Sequence, residues 1–246
     1  MKINTMNIKA VTTVAALGAA LMAMPLMAAE HEAGMGAKGP STNVAWTAEQ
    51  MRFVAKGDMA RGGVLNRELF CASCHGDAGI AQSGNWPSLA GQRAEYVFKM
   101  LKDYKDGKRH SSEASEIMVQ VAQHMSDQDM ADIAQFYASF ELPQLPAGVS
   151  FDSTMAEQAK AVIKRGDGKR LLAPCQSCHG PNGEGAVTDT PALAGQTPEY
   201  FIKTMHEYKS GARASDVYSR MRLIAQSLSD EEIAQMAHYY AGLTAK

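Results

Sequence analysis

A chain of 246 residues with a formal net charge of −2 is long enough for one large domain or two small ones. Its 24 basic and 26 acidic side chains include no basic block, which argues against a nucleic-acid partner. All four cysteines fall into two identical spacings, so their arrangement needs an explanation.

Residues 1–29 have the layout of a secretory signal peptide. Two lysines give a positive start, residues 10–21 are almost wholly apolar, and the small residues Ala28 and Ala29 follow. A membrane anchor would need an apolar run of about 20 residues. The sequence therefore predicts export to the periplasm and cleavage near Ala28 or Ala29. Residues 30–46, rich in Gly and Ala, are predicted to form a flexible arm.

The rest of the chain consists of two copies of one unit, because four segments recur in the same order at a nearly constant offset. They are CASCHG (71–76) and CQSCHG (175–180), PSLAGQ (87–92) and PALAGQ (191–196), YKDGKR (104–109) and YKSGAR (208–213), and MSDQDMADIAQFYA (125–138) and LSDEEIAQMAHYYA (228–241). Residues 142–151 contain two prolines and no periodicity, which is typical of a linker. The sequence predicts one domain at residues 47–141, here called the first repeat, and another at 152–246, the second repeat.

Both repeats are predicted to be helical, so the predicted fold class is all-α. Capping boxes indicate where helices start, glycines indicate where they end, and no segment shows the alternation of a half-buried strand. The starts are Thr47, Ser126 and Ser229, and the central helices run from about Arg93 to Lys105 and from Pro198 to Lys209, ended by Gly107 and Gly211. Fewer residues separate Gly166-Asp167 from Cys175 than Gly57-Asp58 from Cys71, which predicts a shorter helix in the second repeat.

Each repeat contains one Cys-x-x-Cys-His segment, formed by Cys71, Cys74 and His75 in the first and by Cys175, Cys178 and His179 in the second. Two such pairs could supply a four-cysteine zinc site, but each pair lies in its own repeat and carries a histidine that such a site does not require. A redox-active disulfide of the thioredoxin type expects a βαβ setting, which the sequence does not show.

The same segment is the attachment signature of c-type haem. Cysteines three residues apart lie on one side of a helical turn, so both can reach the vinyl groups of one porphyrin. The histidine that follows then lies under the iron as its proximal ligand. Because the segment occurs twice in a chain predicted to be exported, the sequence favours two covalently attached c-type haems.

A haem that only transfers electrons needs a second axial ligand, and a shared ligand should occupy matching positions in the two repeats. Among the candidate methionines only Met118 and Met221 correspond to each other, each at the same distance before a Ser-Asp pair. They are therefore predicted to be the distal ligands. A thioether sulfur in this position favours Fe(II) and raises the reduction potential. His124 is the rival ligand in the first repeat.

Pro87 and Pro191 are predicted to support the proximal histidines. A proline carbonyl beside the imidazole can accept the Nδ1 proton, which fixes the ring and its tautomer. The alternative is an ordinary turn proline. The matching residues that either line the haems and their propionates or serve only the fold are Tyr96, Tyr104 and Arg109 with Tyr200, Tyr208 and Arg213.

These motifs together resemble the cytochrome c4 family of dihaem cytochromes c over nearly the whole chain that follows residue 46. The resemblance implies two tandem class I cytochrome c domains that face each other, each a small helical fold around one covalently bound haem. It also implies haem propionates near the interface and His/Met ligation of both irons. Members of the family are periplasmic electron carriers, soluble or membrane-associated, and often linked to terminal oxidases.

The predicted function is therefore a periplasmic electron shuttle between redox proteins, with a terminal oxidase as one candidate acceptor and peripheral membrane association as one variant. The alternative is a dihaem enzyme of the peroxidase or thiosulfate-oxidising type. Such an enzyme needs one labile axial ligand, so its two haem sites should differ, whereas the two repeats here are nearly the same.

Overall fold

The computed structural model describes residues 45–145, 148–186 and 188–243. The predicted signal peptide (1–29) and all but the last two residues of the predicted arm lie outside the described residues. No helix in the part of the chain that is described combines the length and apolar character needed to cross a membrane.

The described part of both repeats is helical and contains no β-strand, as the sequence predicts. The helices of the first repeat are α1 (Ala48–Val54), α2 (Met59–Glu68), α3 (Ala72–His75), α4 (Ala94–Lys105), α5 (Glu113–Gln123) and α6 (Asp127–Ala138). Those of the second repeat are α7 (Ser153–Arg165), α8 (Gln176–His179), α9 (Pro198–Ser210), α10 (Arg220–Gln226) and α11 (Asp230–Ala241). A single 3₁₀ turn, Val217–Ser219, precedes α10.

Side-chain caps fix the helix starts that the sequence indicates. At α1, Thr47 Oγ1 accepts a hydrogen bond from the Gln50 N–H (3.2 Å) while Gln50 Oε1 accepts one from the Thr47 N–H (2.8 Å). Ser126 and Ser229 form the same reciprocal boxes at α6 and α11. Each box satisfies N–H groups that have no partner inside the helix. These three predicted starts are confirmed.

The first and last long helices of each repeat pack together, and the central helix packs on the last one. Thus α2 and α4 contact α6, while α7 and α9 contact α11. Apolar side chains of the last helices contribute to the cores, with Ile133 and Tyr137 buried in the first repeat and Ile233 and Tyr240 in the second. Fully burying each such side chain contributes roughly 1.5–3 kcal/mol to folding.

The prediction of a shorter helix before the second Cys-x-x-Cys-His segment is wrong. The chain from Gly166 to Cys175 forms a turn, closed by two backbone hydrogen bonds between Asp167 and Leu172 (2.8 and 2.9 Å), instead of a helix. Helix α7 ends before Gly166 and packs on α11, as α2 packs on α6. The two Gly-Asp pairs are therefore not equivalent, because one precedes its helix and the other follows it.

Candidate functional site

The two Cys-x-x-Cys-His segments each form one short helical turn. Cys71 precedes α3 and Cys175 precedes α8, and each accepts a backbone hydrogen bond (3.0 Å) from the histidine of its own segment. This turn places both cysteines on one side of the helix. The chain then leaves through Gly76, whose φ of +79° and closeness to the Ile80 carbonyl (2.3 Å from an added Cβ) exclude any other residue without strain.

Both histidines are buried and held by a proline carbonyl. His75 Nδ1 lies 2.9 Å from the Pro87 carbonyl oxygen, and His179 Nδ1 lies 2.9 Å from that of Pro191. Because a carbonyl only accepts, each Nδ1 carries the proton and each Nε2 keeps a lone pair for a metal ion. Burial lowers the pKa of both imidazoles, which keeps them in the neutral form that ligates iron.

A cavity of about 490 Å³ is lined by residues of both repeats. Its lining includes both histidines, both prolines, Met118, Met221 and every cysteine except Cys71. Cys71 packs against the core of the first repeat instead. The volume lies within the ~300–1,000 Å³ typical of sites for organic cofactors. The predicted site residues are thus brought together, nine of them on one surface.

Met118 and Met221 reach this cavity from helices that start in different ways. Ser112 and Ser115 form the capping box of α5, which carries Met118. Helix α10, which carries Met221, follows two residues with left-handed backbone and is held by the Asp216 carboxylate, which accepts from the Arg222 N–H (3.0 Å) and Nε (2.7 Å). The rival ligand His124 is exposed at the end of α5 and does not line the cavity.

Two buried arginines meet at the interface between the repeats, and neither was assigned a definite role from sequence. Arg109 donates to the Tyr200 hydroxyl (3.1 Å) and Arg213 to the Tyr96 hydroxyl (2.9 Å), so each arginine binds a tyrosine of the other repeat. Both guanidinium groups also lie close to the sulfur of Met100 (3.2 and 3.0 Å). Arg213 is only 1% exposed.

Neither arginine has a carboxylate partner within the described residues. Arg109 Nε and two nitrogens of Arg213 have no hydrogen-bond partner, nor do the buried hydroxyls of Ser111 and Ser215. A buried cation without a counter-charge is strongly unfavourable, so the part of the cavity lined by Arg109, Ser111 and Ser215 fits an anionic group. The carboxylates of haem propionates supply such a group.

The other chemistries considered for the cysteines fit less well. Burial raises the pKa of the Cys71 and Cys175 thiols to about 11, whereas zinc binding and disulfide exchange require the thiolate. All four thiols are unpaired. Nowhere in the described ranges do three His, Cys, Asp or Glu side chains converge on a point where a metal ion could be held. The donors present match covalent haem attachment, with one histidine beneath each iron.

The comparisons with known proteins agree with this arrangement. The family model for Cytochrome c matches residues 59–140 and 166–244, once in each repeat. Cytochrome c4 of Pseudomonas aeruginosa is 35% identical to this chain, in an alignment that covers 77% of this chain and 90% of that protein. The thiosulfate dehydrogenase electron acceptor of Stutzerimonas stutzeri is 33% identical to it, in an alignment that covers 76% of this chain and 84% of that protein. Reduced cytochrome c4 from Pseudomonas stutzeri has a TM-score of 0.68 at 30% identity, covering 76% of this chain and 100% of that one.

The similarity extends over both repeats, and it includes the fold as well as the sequence. Proteins of the cytochrome c4 type are electron-transfer proteins that carry one covalently attached haem in each of two cytochrome c domains. The same cofactors are therefore assigned here, two covalently attached c-type haems. The chain belongs to the cytochrome c4 family of dihaem electron carriers.

Proposed function

We propose that this protein is a periplasmic electron shuttle with His75 and Met118 as the axial ligands of one haem and His179 and Met221 as those of the other. The cysteines of the two Cys-x-x-Cys-His segments would hold the haems covalently, and the predicted signal peptide supports the location. Each haem supplies a one-electron Fe(III)/Fe(II) couple.

The observation that carries this proposal is the equivalence of the two sites. The same histidine-to-proline distance, 2.9 Å, occurs in both repeats, and a half-buried methionine lines the cavity in each. An enzyme needs one iron with an open or displaceable position, which would make the two sites differ. Here both rings are fixed by a hydrogen bond, so a change in oxidation state requires little movement of the protein.

The relatives indicate the chemistry of the partners. One is named as the electron acceptor of a thiosulfate dehydrogenase, so an enzyme of that kind is a candidate donor. A terminal oxidase is the proposed acceptor at the other end. In this scheme the chain receives electrons from thiosulfate oxidation without performing it, which separates the shuttle from the alternative of a thiosulfate-oxidising enzyme.

The test is to mix the purified oxidised protein with thiosulfate, with and without a separate thiosulfate dehydrogenase. We expect thiosulfate alone to leave the visible bands unchanged. The dehydrogenase should then reduce two haems per chain, because it provides the catalytic site that the shuttle lacks. Membranes that contain a terminal oxidase should reoxidise the product, with oxygen consumed in proportion.

Turnover of thiosulfate or hydrogen peroxide by this protein alone would contradict the proposal and favour the enzyme. Reduction by ascorbate and reoxidation by the membranes, without reduction by the dehydrogenase, would support the shuttle but assign it a different donor. Heat-denatured dehydrogenase is the control for reduction that does not require catalysis.

A further inference from the structure

The glutamine at the end of each Pro-x-Leu-Ala-Gly-Gln segment crosses to the other repeat. Gln196 Oε1 accepts from the Ser88 N–H (3.0 Å), and its Nε2 donates to the Ser88 carbonyl (3.0 Å). Gln92 does the same to Ala192, accepting from its N–H (2.8 Å) and donating to its carbonyl (3.0 Å). Both glutamines are buried. The two bonds per glutamine fix its amide group in one orientation.

The residues that these glutamines bind are the ones directly after the histidine-supporting prolines. The peptide unit between Pro87 and Ser88 accepts the His75 Nδ1 proton at its carbonyl and donates its N–H to Gln196. The unit between Pro191 and Ala192 does the same for His179 and Gln92. One peptide unit therefore links the histidine of one repeat to the glutamine of the other, in both directions.

Hydrogen bonds in such a chain polarise one another. When a peptide N–H donates to an amide oxygen, electron density rises on the carbonyl oxygen of the same peptide. That oxygen then draws the Nδ1 proton more strongly, which fixes the ring and makes the imidazole a better donor to iron. A better donor stabilises Fe(III) relative to Fe(II) and lowers the reduction potential.

We propose that Gln196 and Gln92 are positioning residues that set the reduction potential of the haem in the opposite repeat. Gln196 acts on the first-repeat haem through Pro87 and His75, and Gln92 acts on the second-repeat haem through Pro191 and His179. Each domain thereby requires the other for its own potential. This inference rests on the proposed ligation by the two histidines.

A simple role in holding the repeats together is the competing explanation, and other contacts do that as well. Thr197, for example, donates across the same interface from its hydroxyl to the Gly84 carbonyl (3.5 Å) without touching either proline peptide. Thr197→Val is therefore a matched control. It removes a bond from the interface while both glutamine bridges remain.

The experiment uses the full two-haem protein with Gln196→Met or Gln92→Met, which preserves the volume and removes both hydrogen bonds of that glutamine to the other repeat. Proton NMR of the reduced protein gives the Nδ1–H shift of each histidine, and a redox titration followed at the resolved haem methyl signals gives each potential. We expect Gln196→Met to move the His75 Nδ1–H upfield and to favour reduction of the first-repeat haem about threefold, less than the roughly 10–100-fold effects of direct partners of a ligand. Gln92→Met should change His179 and the second-repeat haem instead.

The proposal is overturned if the reduction potential changes only for the haem of the repeat that carries the substitution. It is also overturned if both potentials change equally or if neither changes. A shift of similar size with Thr197→Val overturns it too. If a methionine variant fails to fold, Gln196→Asn and Gln92→Asn, which keep an amide but shorten its reach, should give the same crossed pattern. Failure of the histidine ligation itself is distinguishable, because the haem-shifted ring signals of His75 or His179 would then be missing from the unaltered protein.

Discussion

Replacing Met118 with alanine should open one iron to carbon monoxide and leave the other closed. Met118 lines the cavity in the first repeat, and alanine has no sulfur to occupy the sixth position. Because a thioether favours Fe(II), the potential of that haem should fall, on the order of 0.2 V. The visible spectrum of the reduced variant with carbon monoxide should show one of its two haems shifted. Met221→Ala should do the same in the second repeat.

The control for this result is Met125→Leu. Met125 is a buried methionine of the same repeat that does not line the cavity, and the exchange nearly conserves volume. It should leave both haems insensitive to carbon monoxide. If the Met118 variant is also insensitive, another side chain ligates that iron. If both haems become sensitive together, the substitution has disturbed the fold rather than one ligand.

The second large effect is expected when Cys175 and Cys178 are both replaced by serine. The haem content should fall from two per chain to one, because serine forms no thioether bond with a vinyl group. About half of the 490 Å³ cavity would then lose its occupant. Cavity scaling puts the cost at roughly 6 kcal/mol. That is comparable to the whole stability of a small domain, about 5–15 kcal/mol, so the second repeat should largely unfold.

Haem content by the pyridine haemochrome method and helix content by circular dichroism measure the two parts of this prediction. Ser177→Ala, between the two cysteines on the exposed side of the turn, is the matched control and should retain both haems. Retention of two covalent haems in the double variant would contradict the attachment proposed here. A complete loss of helix would show that the first repeat cannot fold without the second.

The sequence predicted those elements whose signals lie in consecutive residues. The capping boxes at Thr47, Ser126 and Ser229 each need only four residues, and all three helices begin there. The left-handed glycine Gly211 likewise ends α9. Repetition added a second kind of information, because it identified Met118 and Met221 among many methionines, and both reach the same cavity.

What the sequence did not provide depends on contacts between distant residues. The helix that carries Met221 starts after the left-handed residue Tyr218 and is anchored by the Asp216 carboxylate, a combination with no simple pattern. The sequence shows Gln92 and Gln196 at matching positions of the two repeats, but their hydrogen bonds to the opposite repeat become visible only in the structure. The Gly-Asp pairs led to the wrong prediction of a shorter helix, because one pair precedes α2 whereas the other follows the equivalent helix α7.

The central claim is that both irons are closed by a histidine and a methionine. Its most direct test is the visible spectrum of the purified full-chain protein, reduced with dithionite, before and after carbon monoxide. Sharp low-spin c-type bands that the gas does not alter are predicted, because neither iron has an open position. A marked shift would show that at least one sixth ligand is labile or absent, and it would favour the dihaem enzyme over the shuttle.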